Sequence, residues 1–354
     1  MKTAHIIGKL SAGGVETWLK DLSSYQKHDM HILVQKPGVG FYDDIIRGNG
    51  STVELINIEN GFFYYTYKIF SYFVKNRIEV VHSHVNLSSA WILFIALLSG
   101  VKVRVAHCHN DKRKDQNNSS FIKVIYYKAM KCLLHFVASH KIAVSQECAS
   151  SMFYERARIK ILPCGLSFER KRRLHRDDFS IGENDFVVTH IGRFVEQKNH
   201  LFLIDLIHEL KESPIKLLLV GEGNTLHDIK RVVSEKNLDC KVIFLGVRDD
   251  VNEILHDLTD LFVLPSLFEG LGLVAIEAQY NKVVTIVSEN VPTAVDVSNK
   301  VKHIPLDDFE SWVDEIKNLI KNRPEKKNFF IKDNIKLFTI EYNSSVLDEI
   351  YNGK

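Results

Sequence analysis

The chain has 354 residues, 45% hydrophobic and 25% charged, with a formal net charge of +2. This is the composition of a soluble globular protein with room for two domains of ordinary size. Its longest apolar stretch, residues 90–98, has nine residues against the ~20 that a bilayer-spanning helix needs, which argues against a transmembrane segment. The N-terminus runs directly into His5-Ile6-Ile7 and a glycine turn, unlike a signal peptide. The five cysteines (108, 132, 148, 164 and 240) form no CxxC pair and no metal-ligand spacing, a pattern expected of reduced thiols in a cytoplasmic protein.

Strand-like runs at 4–7, 31–34, 53–56, 80–82, 103–107 and 141–144 alternate with helical patterns at 16–25, 66–76 and 120–138. The rhythm restarts with strands at 186–191, 216–220, 241–245, 261–264 and 283–287, and helices at 201–212, 225–235, 251–256 and 274–280. Repeated βα units predict parallel sheets covered by helices on both faces. Two successive sets predict an α/β chain of two doubly wound, Rossmann-like domains facing a cleft, spanning 1–168 and 169–340, with the polar basic stretch 169–178 as the linker. Neither half carries GxGxxG, so a dinucleotide-dependent dehydrogenase is poorly supported.

The net charge hides an asymmetry. Residues 1–176 hold 26 Lys+Arg against 13 Asp+Glu, and residues 177–354 hold 20 against 31. Either the basic half meets an anionic partner, or two faces of opposite sign help the halves associate. Residues 102–176 alone hold 17 cationic residues against 5 acidic ones. Phe121-Ile122-Lys123-Val124-Ile125-Tyr126-Tyr127-Lys128 mixes apolar and cationic positions at helical spacing, and residues 62–73 contain eight aromatics. Both suit an anionic membrane surface, and both equally suit ordinary packed helices.

Residues placed at strand ends carry the chemistry. Gly13-Gly14 follows the first strand and opens the first helix, as a plain turn or as a place where backbone can approach a ligand. His109 lies just past the 103–107 strand, as a cleft residue or an incidental one among 16 histidines. Gly192-Arg193 ends the first strand of the second half, and Lys198 precedes Asn199, the expected N-cap of the next helix. A guanidinium and an ammonium beside a helix N-terminus form a diphosphate clamp. Val220-Gly221-Glu222-Gly223 and Phe244-Leu245-Gly246-Val247-Arg248 are further glycine turns on the same edge, either bordering a nucleobase or simply turning.

The most informative stretch is Ser266-Leu267-Phe268-Glu269-Gly270-Leu271-Gly272-Leu273-Val274-Ala275-Ile276-Glu277-Ala278. Strand, glycine-containing loop, then helix points free amides at a phosphate, with one carboxylate in the loop and a second eight residues on. Glu277 sits in an otherwise apolar helical run, where an unpaired buried carboxylate is costly. Sugar hydroxyls or a structural salt bridge would satisfy it. A diphosphate carrying sugars on both ends fits the set.

Gly-Gly-Val-Glu near the N-terminus, Gly-Arg with the later Lys198, Val-Gly-Glu-Gly, and Glu269-x7-Glu277 resemble, in this order, the family-four retaining glycosyltransferases of the GT-B fold, most closely those building bacterial capsule, exopolysaccharide or lipopolysaccharide. The resemblance spans nearly the whole chain. It implies that Arg193 and Lys198 neutralise the donor diphosphate, that Gly14 and the amides near Leu271, Gly272 and Leu273 cradle it, that Glu277 holds the ribose, that Glu269 contacts the transferred sugar, and that His109 contacts the donor sugar near the reacting carbon. It also implies that the last segment, 341–354, is a helix crossing back onto the first domain. Leu162-Pro163-Cys164-Gly165-Leu166 resembles the family's Pro-Asn-Gly-Ile/Val-Asp element, with Cys164 in place of Asn and Ser167 in place of Asp.

The expected activity is metal- and cofactor-independent transfer of a hexose or N-acetylhexosamine from a nucleotide sugar, a UDP-sugar first, to a lipid-linked or oligosaccharide hydroxyl. The chain contains no Asp-x-Asp that would hold a diphosphate-bridging metal. The expected place is the cytoplasm, peripheral at the inner face of the plasma membrane. A UDP-N-acetylhexosamine epimerase of the same fold and a catalytically inactive partner subunit are the alternatives. No nucleic-acid recognition motif accompanies the basic half.

Overall fold

Short runs rich in Val, Ile and Leu form parallel strands buried on both faces, as expected where βα crossovers cover a sheet. The computed structural model describes residues 1–11, 13–110, 120–155, 157–325 and 328–353. Asp111, which follows the loop of His109, and the basic residues 112–114 lie outside the described residues. The chain divides into two compact units: Met1–Ser167 with Leu337–Lys354, and Phe168–Lys336.

In unit 1 the strands β1 (Lys2–Ile7), β2 (Asp29–Val34), β3 (Thr52–Leu55), β4 (Val80–Ser83), β5 (Val103–Cys108), β6 (His140–Ala143) and β7 (Lys160–Ile161) form one sheet in the order β3-β2-β1-β4-β5-β6-β7. Its helices are α1 (Gly14–Tyr25), α2 (Asp43–Gly48), α3 (Phe62–Asn76), α4 (Ser89–Leu98), α5 (Phe121–Val137) and α6 (Gln146–Met152). In unit 2 the strands β8 (Phe186–Ile191), β9 (Ile215–Val220), β10 (Val242–Gly246), β11 (Leu261–Leu264), β12 (Val284–Ser288) and β13 (Val301–Ile304) follow the order β10-β9-β8-β11-β12-β13. They are joined by α7 (His200–Glu209), α8 (Leu226–Glu235), α9 (Val251–Glu253), which runs on as a π-turn over Ile254–Leu258, α10 (Leu273–Tyr280) and α11 (Phe309–Lys321). Trp312, Phe186, Leu203 and Leu217 anchor a core between that sheet and its helices. In each sheet the strand order reverses beside the first strand, at β1/β4 and at β8/β11. Ligands of open α/β sheets bind beyond the strand ends at such switch points.

The last helix, α12 (Ile340–Tyr351), belongs to unit 1. Asn343, fully buried, accepts from Trp18 Nε1 of α1 at 2.8 Å and donates to the Pro163 carbonyl at 2.6 Å. A Cβ on Gly165 would lie 2.7 Å from that of Asn343, so glycine is what lets α12 close on this loop. Asn343 and the backbone pair Leu166/Ile340 therefore fasten an element in which Cys164 and Ser167 replace the family's polar residues.

The charge asymmetry narrows but survives the structural division: unit 1 holds 22 Lys+Arg against 15 Asp+Glu, and unit 2 holds 24 against 29. Arg170, Arg172 and Arg176 lie in unit 2 and pair with Asp257, Asp250 and Asp260, while Glu253 and Asp257 accept the backbone amides of Lys171 and Leu174. The basic stretch counted with the first half thus pairs with carboxylates of the α9 region inside unit 2.

Gly221 has φ +135°, and a Cβ there would stand 2.1 Å from the Gly192 carbonyl oxygen. Both loops are held by backbone hydrogen bonds, Gly192 to Val220 at 2.9 Å and Gly221 to Gly246 at 2.8 Å. Gly221→Ala combines a disfavoured φ with a backbone clash and is expected to cost unit 2 about 2 kcal/mol or more. Thermal unfolding followed by circular dichroism checks this; an unchanged melt would show that the two loops part without cost.

Candidate active site

The C-terminal edge of the unit 2 sheet collects Val247 after β10, Gly221 after β9, Gly192 and Arg193 after β8, and the 265–272 loop after β11. β8 and β11 are paired neighbours, so their loops meet. The Leu267 amide donates to the Gln197 carbonyl at 2.9 Å, and Gln197 Nε2 donates to the Phe268 carbonyl at 2.8 Å. Across this seam Lys198 Nζ donates to Glu269 Oε1 at 2.5 Å, and Ser266 Oγ donates to the same oxygen at 2.7 Å. Both members of the ion pair are largely shielded, with side-chain exposures of 16% for Lys198 and 7% for Glu269. The Lys198 stem runs 3.3 Å from where a Gly192 Cβ would stand. Arg193 is exposed, and its guanidinium has no partner among the described residues.

Gly272, at φ +87°, is the left-handed residue that starts α10. A Cβ there would sit 3.4 Å from Leu264 and Val291. The Ala275 amide closes the turn on the Gly272 carbonyl at 2.9 Å, and the Leu273 and Val274 amides stand at the positive end of the helix. Glu269 and Glu277 are both half-buried as residues, and the Glu269 side chain is 7% exposed. One sequence expectation is corrected here. Asn199 does sit at the start of α7, but at φ 56° and with no side-chain cap bond, since it turns the chain instead of accepting an amide.

Gln279, fully buried, escaped the sequence reading. Its amide donates to the Ala275 and Val295 carbonyls at 2.9 and 2.8 Å and accepts from the Val297 amide and Ser298 Oγ at 3.1 and 3.0 Å. All four capacities are used, which locks α10 to the 292–298 segment. A lone amide in an apolar helical run was the available signal.

In unit 1, Gly13 and Gly14 open α1, with Gly13 extended. His109 is 7% exposed and both its nitrogens are engaged: Nε2 with His84 Nδ1 at 2.9 Å, Nδ1 with Cys164 Sγ at 3.4 Å. Register pairs His5 with His82 and His82 with Val105. Side chains alternate along strands, so His5, His82, His84, His107 and His109 share one face. Trp18 packs against all five rings at centroid distances of 5.4 to 6.5 Å. Burial pushes His5 and His109 down to about 3 and holds His82, His84 and His107 well below the usual imidazole range. The cluster is therefore neutral at pH 7. Two trios, His5/His82/His84 and His84/His107/His109, bring nitrogens within 4.8 Å of one another, and ring nitrogens of both trios hydrogen-bond to one another, to Cys164 and to Tyr351.

No helix among the described residues is long and apolar enough to cross a membrane. The family described as Glycosyl transferases group 1 matches residues 171–336, nearly all of unit 2. The chain is 27% identical to the putative glycosyltransferase EpsF of Bacillus subtilis (strain 168), over 99% of this chain and 96% of that one. It is 26% identical to the capsular polysaccharide biosynthesis glycosyltransferase CapH of Staphylococcus aureus, over 100% and 99%. It is 27% identical to a UDP-Gal:alpha-D-GlcNAc-diphosphoundecaprenol alpha-1,3-galactosyltransferase of Escherichia coli, over 68% and 66%. Among solved structures, Anabaena HepE in complex with UDP and glucose superposes with a TM-score of 0.76 at 15% identity, covering 99% of this chain and 95% of that one. Two doubly wound sheets, a strand-end edge bearing Gly192-Arg193, Lys198 and Glu269, and relatives matched over the whole length lead to one assignment: residues 171–336 form a Glycosyl transferases group 1 domain, and the chain is a glycosyltransferase of the GT-B fold.

Proposed function

We propose that this enzyme is a retaining transferase that moves a hexose or N-acetylhexosamine from a UDP-sugar to a hydroxyl of a lipid-linked saccharide during surface polysaccharide synthesis. The observation that carries the reading is the unit 2 edge at the β8/β11 switch point, where Arg193, the Lys198–Glu269 pair and the first turn of α10 lie on adjacent loops. Positive charge fixed where a diphosphate leaves is the main electrostatic need of glycosyl transfer. Lys198 has three donor positions and gives one to Glu269, leaving others for phosphate oxygens. Glu277 would take the ribose hydroxyls and Glu269 the sugar. The names of the E. coli and S. aureus relatives support the acceptor class, and the HepE complex supports UDP.

Nucleotide release across a panel of UDP- and GDP-sugars, with a short polyprenyl-diphosphate sugar as acceptor, tests this. Transfer from a UDP-sugar, lost in Glu277→Ala, is the expected result. Release only from GDP-sugars, or epimerisation without transfer, would overturn it.

The acceptor side of the proposal rests on unit 1. Phe63, Tyr67, Phe121, Ile122 and Phe136 stand 86, 67, 78, 79 and 77% exposed on α3 and α5, beside exposed Lys68, Lys75, Lys123 and Lys128. Aromatic and aliphatic groups interleaved with lysines favour an anionic bilayer surface. The protein is expected to float with phosphatidylglycerol vesicles and not with phosphatidylcholine ones. Phe121→Ser with Ile122→Ser is expected to cut binding about tenfold or more. Flotation unaffected by that pair would move the surface elsewhere.

A further inference from the structure

Five of the buried histidines of unit 1 are arranged as chains of hydrogen bonds. One chain runs His5 Nδ1 to His84 Nε2 at 3.1 Å, His84 Nδ1 to His109 Nε2 at 2.9 Å, and His109 Nδ1 to Cys164 Sγ at 3.4 Å. A second runs His107 Nδ1 to His82 Nε2 at 3.1 Å and His82 Nδ1 to Tyr351 Oη at 2.6 Å. The first chain has one dead end: His5 Nε2 is buried without a hydrogen-bond partner among the described residues.

A neutral imidazole carries one N–H and one bare nitrogen. Every bond in a chain of neutral imidazoles needs one of each, so all the rings of a chain must point the same way. The dead end sets the direction, because a buried N–H left without an acceptor is rarer in folded proteins than an acceptor left without a donor. His5 therefore keeps Nε2 bare and donates from Nδ1 to His84. His84 then donates from Nδ1 to His109 Nε2, and the His109 proton is left on Nδ1, aimed at Cys164.

We infer that His84, backed by His5, is a positioning residue that holds His109 as the neutral Nδ1–H tautomer. His109 then offers a hydrogen-bond donor, and not a base, at the place where Cys164 Sγ now sits. Sulfur is a weak acceptor, so the His109 proton is directed by His84 and not by the thiol. His84 touches no substrate; it acts by filling the other nitrogen, as the outer partners of functional histidines do. The link to catalysis rests on the transferase reading above, whereas the tautomer itself does not.

Long-range 15N–1H correlation of the imidazoles in the full chain at pH 7 reads the tautomer directly, with His109 assigned by its absence from His109→Asn. The expected result is a protonated Nδ1 and a bare Nε2. An Nε2–H tautomer or an imidazolium in the wild type overturns the inference. His84→Phe, which keeps a ring but no donor, is expected to release the tautomer and lower kcat/KM for the nucleotide sugar about 10- to 100-fold, the loss expected for one buried donor. His84→Asn, which puts an N–H in the Nδ1 place, is expected to restore both. A released tautomer with unchanged kcat/KM overturns the positioning role. Should His84→Phe fail to fold, the wild-type spectrum and His84→Asn decide. A correct tautomer without transfer from any sugar of the panel sinks the transferase reading and leaves the tautomer standing.

Discussion

Unit 1 is expected to unfold as the pH falls from 6.5 to about 5, ahead of unit 2. A histidine whose folded pKa lies below its unfolded value, about 6.5, binds its proton more readily in the unfolded chain. Its contribution is thus complete above pH 6.5 and is lost as the pH falls towards the folded pKa. For His5 and His109 that folded value is about 3, and for His82, His84 and His107 it is also well below 6.5, with burial the first cause in each. Every such histidine removes roughly 1.4 kcal/mol per pH unit within its window. Five acting together remove roughly 7, and a domain holds only ~5–15 in total. Among the described residues no carboxylate sits between the rings to offset this: the groups packed on them include Trp18, Cys164 and Tyr351, and the acids nearby, Glu16 and Asp348, act on Cys164 and Tyr351. In unit 2 only His190 and His200 are similarly depressed, so its slope is shallower. Hydrogen exchange read by mass spectrometry at pH 7, 6 and 5 separates the two units. Coincident loss of protection in both, or retention in both down to pH 4, would contradict the buried-histidine account.

The sequence made the two sheets legible because their strands are short apolar runs closed by glycine, histidine or proline. Residues 186–191 and 261–264 are strands with the expected ends. Ser89–Leu98 was seen only as an apolar stretch. It buries residues around most of its circumference between the sheet and its neighbours, so it has no polar face to give a 3.6-residue period. β13 and α11 went unassigned as well. The histidine cluster was invisible for a different reason. His109 is legible only as a strand-end residue among 16 histidines, and only the register of β1, β4 and β5 shows that five imidazoles share a face. Glu269 and Lys198 are 71 residues apart, so each was legible as a charge and the bond between them was not.

Lys198→Met is expected to reduce kcat for the proposed transfer about 100- to 1000-fold, the effect of removing one group preorganised on developing charge, and to destabilise unit 2 as well. The second effect arises because Glu269 is nearly enclosed and Lys198 is its cationic partner. Removing one partner strands the other charge away from water, which costs more than the pair contributes. Ser266 still donates to Glu269, so a few kcal/mol is the scale. The two effects separate in a double-mutant cycle. Glu269→Gln removes the stranded charge, so Lys198→Met/Glu269→Gln is expected to recover most of the melting temperature while transfer stays lost. Arg193 supplies the contrast. It is exposed and pairs with nothing among the described residues, so Arg193→Ala is expected to leave the melt within about 0.5 kcal/mol of wild type and to lower kcat/KM about 10- to 100-fold. Melts and nucleotide release on the four variants read both quantities. Were Lys198→Met to transfer at a rate close to wild type while Arg193→Ala is inactive, the leaving diphosphate would depend on the guanidinium alone, and the Lys198–Glu269 bond would be a purely structural brace between the loops of β8 and β11.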